Sequence, residues 1–307
     1  MIRRLFWKTA LLSVFLVLGR ETAWAQREVL YSQYLTNPLT INPAFAGARE
    51  SLTMTAIFRR KWFSLRGPGI GITQAFGADG PLAGGKVGLG LQALNDRMGL
   101  YSATGFYGSV AYRITLPSMA RLSFGGSGGI NVLPIYDPTN VTSINKALPS
   151  FGAGVYYEAE QFWAGVSMPE LVNRPLNLGT GQSMALRYQR PLFINFGGKL
   201  KAGEGIDFMP SILLTQQSGF PLGIDLNAKV WLEQKLGIGL SYRANNSTLL
   251  SNLNYFVILA EYELSPSIRV GYTYNSQQVE NPFSYFQKSV HELVFRYTPS
   301  PIRFQYK

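Results

Sequence analysis

Cysteine is absent from this chain, and histidine occurs once, at His291. The first absence excludes disulfides, thiol nucleophiles and thiolate metal sites; the second leaves too few imidazoles for a histidine-built zinc or haem site. No cofactor is therefore expected. Charge is also scarce, at 15% of residues against about 25% in ordinary globular domains. Beyond the N-terminus no uncharged apolar stretch approaches the 18 residues that would mark a transmembrane helix.

What is present begins with an export leader. Arg3, Arg4 and Lys8 form a basic n-region, Thr9 to Leu18 an apolar core, and Ala23-Trp24-Ala25 an A-x-A site, so residues 1–25 read as a signal peptide cleaved before Gln26. The apolar core is too short for a membrane anchor. Without a cysteine after the cut, the lipoprotein type of leader is excluded.

The rest is rich in Tyr (17), Phe (19) and Gly (32). High aromatic and glycine content with little charge suits an outer-membrane barrel, because aromatics form interfacial girdles and charge on the lipid face is costly. A soluble β-sandwich would carry more Lys and Glu outside. The formal charge is +11. Loss of Arg3, Arg4, Lys8, Arg20 and Glu21 with the leader removes +3, which leaves the mature chain at +8. In an exported protein this charge faces anionic headgroups or a wet lumen rather than nucleic acid.

Residues 222–233 show the pattern most clearly. Leu222, Ile224, Leu226, Ala228, Val230 and Leu232 alternate with Gly223, Asp225, Asn227, Lys229, Trp231 and Glu233. Period two over this length fits a strand with one lipid face and one wet face. Residues 236–243 repeat it after Gln234-Lys235, which suits a short hairpin turn. Similar alternation covers 52–60, 70–78, 85–96, 101–116, 119–134, 149–158, 161–168, 190–201, 207–217, 251–264, 266–276 and 287–297. The fold class expected is all-β: a transmembrane antiparallel barrel of about fourteen strands, an even number as single-chain bacterial barrels have. The turn-rich stretches 136–148, 170–182 and 277–285 are expected as loops, and 181–190 as an ambiguous segment.

Ahead of the first strand, Ser32 to Gly47 holds two Asn-Pro steps, Asn37-Pro38 and Asn42-Pro43. Each proline fixes its φ, removes a donor and drives the preceding Asn to an extended or turn conformation. The domain organisation expected is a leader (1–25), an N-terminal strap (26–50) that begins in the periplasm and packs on the periplasmic mouth or up in the lumen, and a barrel (51–307).

Chemistry is thin. His291 beside Glu292 has no nucleophile motif near it and reads as a rim or lumen residue. Gly125-Gly126-Ser127-Gly128-Gly129 lacks the Lys-Ser/Thr ending and helix of a phosphate loop; it lets a strand bend or leaves room for a neighbouring backbone. Arg59-Arg60-Lys61-Trp62 reads as a strand end at the headgroup level. No enzyme is expected.

The strap's Ser32-Gln33-Tyr34, Asn37-Pro38-Leu39, Ile41-Asn42-Pro43-Ala44 and Ala46-Gly47 resemble the opening motif of the PorP/SprF family of Bacteroidetes outer-membrane proteins. Further blocks resemble the family in order: Arg60 and Trp62 with Gly67-Pro68; Val87-Gly88-Leu89-Gly90 with Asn95-Asp96 and Gly99; 149–157 with 162–169; Pro210-Ser211, 225–228, 237–243, 268–274 and His291-Glu292. The tail 298–307 departs from that pattern and leaves open whether Tyr297 or Tyr306 ends the sequence read by the barrel-assembly machinery. The resemblance implies an integral component of the type IX secretion system, which exports proteins and drives gliding. Its implied partners are membrane lipid, the periplasmic ring proteins and a secreted adhesin-type cargo anchored at the surface. It makes Ser32, Gln33, Tyr34, Asn37, Pro38, Asn42, Pro43 and Gly47 the motif residues, structural or partner-contacting. The rival expectation is an outer-membrane channel or transporter for small solutes, which a basic lumen would make anion-favouring.

Overall fold

The structure is a computed structural model and describes residues 32–61, 71–98, 101–137, 142–172, 190–218, 221–244, 254–276, 289–302 and 304–306. The leader, residues 26–31 of the strap, the loop 277–285 and most of 170–190 lie outside the described residues.

Fifteen strand segments run in sequence: β1 (Thr53–Lys61), β2 (Gly71–Leu82), β3 (Val87–Met98), β4 (Tyr101–Thr115), β5 (Arg121–Asp137), β6 (Thr142–Glu158), β7 (Phe162–Met168), β8 (Leu192–Gly198), β9 (Leu200–Gly203), β10 (Ile206–Gln216), β11 (Gly223–Leu232), β12 (Leu236–Ala244), β13 (Tyr255–Ser265), β14 (Ile268–Asn275) and β15 (Val290–Tyr297). Segments β8 and β9 both pair with β10 and flank Lys199, so together they make one stave. Every neighbour is antiparallel and consecutive. β1 closes on β15, from Met54 opposite Tyr297 to Lys61 opposite Val290. The result is a closed barrel of fourteen staves, as the alternation predicted. Closure leaves no unpaired sheet edge, the condition for strands to sit in lipid.

The two faces sort by period two. In β11 Asp225 is fully buried and Leu226 is 51% exposed, and the alternation holds along the strand. The outward face is the lipid face. Tyr112, Tyr262 and Tyr297 lie on it near the short-turn end, and Phe256 and Tyr274 near the other. That gives the two aromatic girdles such barrels carry. Short turns at 83–86, 116–120, 204–205, 233–235 and 266–267 share the end where the strap joins β1 and the tail leaves β15. By the rule of short periplasmic turns, this is the periplasmic mouth.

Three expectations need correction. Residues 136–148 do not form one long loop, because β5 and β6 stay paired out to Asp137 opposite Thr142, with Asn145 facing Pro134. The backbone ladder continues through residues of turn-forming type, which local propensity alone assigned to a loop. Glu233 belongs to the turn rather than to the wet face, with φ of 50° at Glu233 and 52° at Gln234. Arg59 and Lys61 face the lumen, not the headgroups: both are buried, Arg59 is 3.2 Å from Glu292 and Lys61 3.9 Å from Asp96. Trp62 is outside the described residues. Tyr297 ends the last strand, and the tail turns inward after it.

Candidate functional site

From Ser32 the strap runs inside the barrel in three single-turn 3-10 helices, Ser32–Leu35, Pro38–Thr40 and Pro43–Phe45. Both Asn-Pro steps behave as the proline requires. Asn42 is extended at φ −136° and ψ 110°, Asn37 stands outside the helical region at φ −133° and ψ 84°, and each proline opens a helical turn as a first residue that needs no donor. All residues from Asn37 to Arg49 except Thr40 are buried. A segment so short of intrinsic helix can hold this shape only against a surface, and the barrel's inner wall supplies it.

On one side the wall is hollowed for the strap. Leu39, Ala44, Phe45, Ala46 and Ala48 pack with Ala111 and Tyr156, and Trp163 closes the cluster. Phe45 meets Tyr156 edge to face at 5.3 Å. Burial of these apolar side chains at about 25 cal/mol per Å² is the main attraction. A Cβ on Gly88 would lie 1.9 Å from the Ala46 carbonyl oxygen, and one on Gly125 would lie 2.3 Å from the Ala44 nitrogen. The glycine-rich run of β5 therefore leaves room for a neighbouring backbone, one of the two roles expected of it. Gly47 turns the strap toward β1 in the left-handed region at φ 68°, and its N–H donates to Asp79 at 3.0 Å. Asn42 accepts from the Ala44 N–H at 2.9 Å and donates to the Val155 carbonyl at 3.0 Å.

On the opposite side the wall holds the strap by charge. Tyr34 donates to Asp225 at 3.0 Å, and the Arg243 guanidinium lies 5.3 Å from its ring. Burial, with the Asp225 charge second, pushes the Tyr34 phenol well above its ordinary pKa, so it stays a donor. Thr36 donates to Glu261 at 2.5 Å, and its carbonyl accepts from both Arg49 and Arg296. Ion pairs at Lys229–Glu261 (2.9 Å) and Arg243–Asp225 (3.1 Å) are buried on this side, and Arg49–Asp79 (2.8 Å) is buried against β2, beside Gly47. Charges taken out of water persist only when paired and hydrogen-bonded, and Arg49, Lys229 and Arg243 are each paired in this way.

The tail adds a second insert at the same mouth. Phe304 stacks edge to face on Trp231 at 4.9 Å, Arg269 lies 4.5 Å over Trp231, and Tyr306 donates to Asp207 at 2.8 Å. The sequence reading missed this insert, whose signal is the aromatic pair Phe304 and Tyr306 beyond the last alternating residue.

Of the motif residues, Tyr34, Asn37, Pro38, Asn42, Pro43 and Gly47 are all buried in the lumen, with their contacts to the wall or to the strap itself. Ser32 and Gln33 open the first helical turn, and their side chains lie outside the described residues. His291 is brought to the outward face, where its Nδ1 is 2.6 Å from the Tyr272 hydroxyl and its ring faces Tyr274. Among the described residues no group of three or more His, Asp or Glu is placed to hold a metal ion.

A family model described as "Type IX secretion system membrane protein PorP/SprF" matches residues 23–297. No curated protein matches the chain in sequence. Among solved structures it is similar to the outer-membrane protein Omp33 of Acinetobacter baumannii, at 8% identity and a TM-score of 0.49 over 81% of this chain and 99% of that one. It is also similar to a FadL homologue of Pseudomonas aeruginosa, at 11% identity and 0.44 over 91% and 98%. Salmonella typhi OmpF follows at 13% identity and 0.38 over 81% and 98%. None of the three bears on what this chain does.

Proposed function

The chain belongs to the PorP/SprF family of type IX secretion system membrane proteins, and we propose that within that system it is a non-enzymatic, closed barrel supporting secretion or surface anchoring of specific adhesin-type cargo. The observation that supports this over solute transport is the filled lumen. A channel needs an open wet path, whereas here the strap runs along the lumen from Asp225, near the outer end of β11, to Asp79, near the short-turn end of β2, and the tail fills the short-turn mouth. Their side chains are paired with the wall rather than left to water. The partners in this reading are lipid around the outward face, periplasmic ring components at the short-turn mouth and cargo on the outer side.

Planar-bilayer conductance and purification from the native outer membrane test this together. The expected outcome is no large steady current from the intact barrel, and co-purification with a large adhesin or with the periplasmic ring. A steady anion-selective current with neither protein present sinks the proposal in favour of the solute channel. A parallel sample lacking 32–50 tells whether the strap is needed for that association.

A further inference from the structure

The lipid face is apolar over most of its girth, and its charged exceptions stand together. Outside the short-turn rim, the outward positions of the described strand residues hold three charged or titratable side chains other than tyrosine: Arg60, Arg97 and His291. All three lie at the outer end of the wall, in one sector. His291 is opposite Arg60 across the β15–β1 ladder, and Arg60 and Arg97 are both opposite Ile72, one on each side of β2. No carboxylate accompanies them on the outward face, because the neighbouring Asp96 and Glu292 are buried in the lumen.

Interfacial anchoring does not require this arrangement. Basic side chains anchor a barrel at either interface and on any side, yet the described outward positions of the remaining staves carry none. A basic side chain on the lipid face costs about 2–4 kcal/mol at the midplane and about 0–1 kcal/mol near the interface. The cluster therefore sits at headgroup depth in the outer leaflet.

Amides stand on the same staves. Gln74 is exposed on the outward face of β2 opposite Asn95 of β3, whose Nδ2 donates to the Thr104 hydroxyl at 2.9 Å. Neither the Gln74 amide nor the exposed Arg97 guanidinium has a hydrogen-bond partner among the described residues. The His291 ring is fixed, with Nδ1 2.6 Å from the Tyr272 hydroxyl and Nε2 3.1 Å from the Ser289 hydroxyl. In the tautomer where Tyr272 donates to Nδ1, Nε2–H donates to Ser289, whose own proton is left to offer. Acyl tails satisfy none of these groups. Guanidinium groups match phosphate, and amides match the carbonyl and hydroxyl groups of a sugar headgroup.

We infer that the sector from β15 to β3 binds an outer-leaflet glycolipid that carries two phosphates held apart by a sugar pair. Arg60 and the Ser289 hydroxyl receive one phosphate, and Arg97 receives the other. Gln74 and Asn95 meet the amide and hydroxyl groups between them. The span calls for two phosphates, since three inter-strand spacings put His291 and Arg97 roughly 14 Å apart. The site lies on the outward wall and does not rest on the secretion reading.

The test uses the full barrel in detergent, stripped of lipid, and native mass spectrometry with three added lipids: bisphosphorylated lipid A, its monophosphorylated form and phosphatidylglycerol. The bisphosphorylated form is expected to bind about tenfold more tightly than the monophosphorylated one, the difference one charge-assisted contact gives, and phosphatidylglycerol more weakly than either. Arg97→Gln is expected to erase the preference for the second phosphate. Arg60→Gln is expected to weaken both forms of lipid A about tenfold, while heat-modifiable mobility on gels shows both variants folded. Equal binding of the two forms, phosphatidylglycerol bound as tightly as lipid A, or a preference that survives Arg97→Gln overturns the inference. Displacement of the lipid by millimolar inorganic phosphate also overturns it, in favour of a site for the free anion. Conductance and cargo co-purification are read separately, so its failure leaves the secretion reading standing.

Discussion

The two halves of the barrel wall hold the same strap with different emphasis, although Arg113 on β4 and Arg121 on β5 add charged contacts to the hollowed side. Around β3–β7 the wall is hollowed: glycines admit the strap's backbone at distances no side chain would allow, and small apolar residues fill the remaining space. Around β11–β15 the wall is studded with Asp225, Glu261, Arg243 and Arg296, which grip Tyr34 and Thr36. The hollowed half fixes where the strap lies, because shape tolerates no displacement. The charged half fixes its identity, since each buried ion there must find its partner. A barrel with only the first would accept any small segment; one with only the second would hold its ligand loosely.

Breaking the charged half should cost most. Asp225→Leu strands the fully buried Arg243, and stability is expected to fall by about 3–5 kcal/mol, read from the shift in the unfolding midpoint of the detergent-solubilised barrel. Adding Arg243→Met should recover most of that loss; a double variant as unstable as the single one would mean that packing, not charge, dominates there. On the hollowed half, Gly125→Leu drives a side chain into the Ala44 backbone and is expected to cost about 2–3 kcal/mol. Protease sensitivity should appear within 32–50, and an unchanged cleavage pattern would show that the strap is not seated by that glycine. Tyr34→Phe leaves the packing but removes the donor to Asp225 and Asn227, a loss of about 1–2 kcal/mol. The smallest effect concerns the tail. Burial, with Asp207 second, pushes the Tyr306 phenol up to about 12. Because the neutral form is the one the fold prefers, its contribution is complete below about pH 10 and is lost as pH rises toward 12. The tail should loosen over that window, and Tyr306→Phe should remove the dependence, as followed by proteolysis after Tyr297.

Much of this was legible in the chain. Asp225, Lys229 and Trp231 were assigned to the wet face from alternation alone, and each is buried in the lumen. Strand count followed from the same local signal. Errors fell where that signal is overridden: at 142–148, where the β5–β6 ladder continues through turn-forming residues, and at Arg59 and Lys61, where basic residues near a strand end look like headgroup anchors until the register turns them inward. The tail went unread because a short aromatic segment after the last strand has no period to recognise.

Period-two alternation, the aromatic and glycine content and the conformations of the two Asn-Pro steps are properties of neighbouring residues, so the sequence alone determined the barrel, its approximate size and the kinked form of the strap. Which wall the strap lies on was decided only by closure of the barrel. The partners Tyr34 and Asp225 stand 191 positions apart, and Gly88 and Gly125 face the strap only once the staves are in register. Contacts at that separation depend on the accumulated geometry of fourteen staves, which no local pattern encodes.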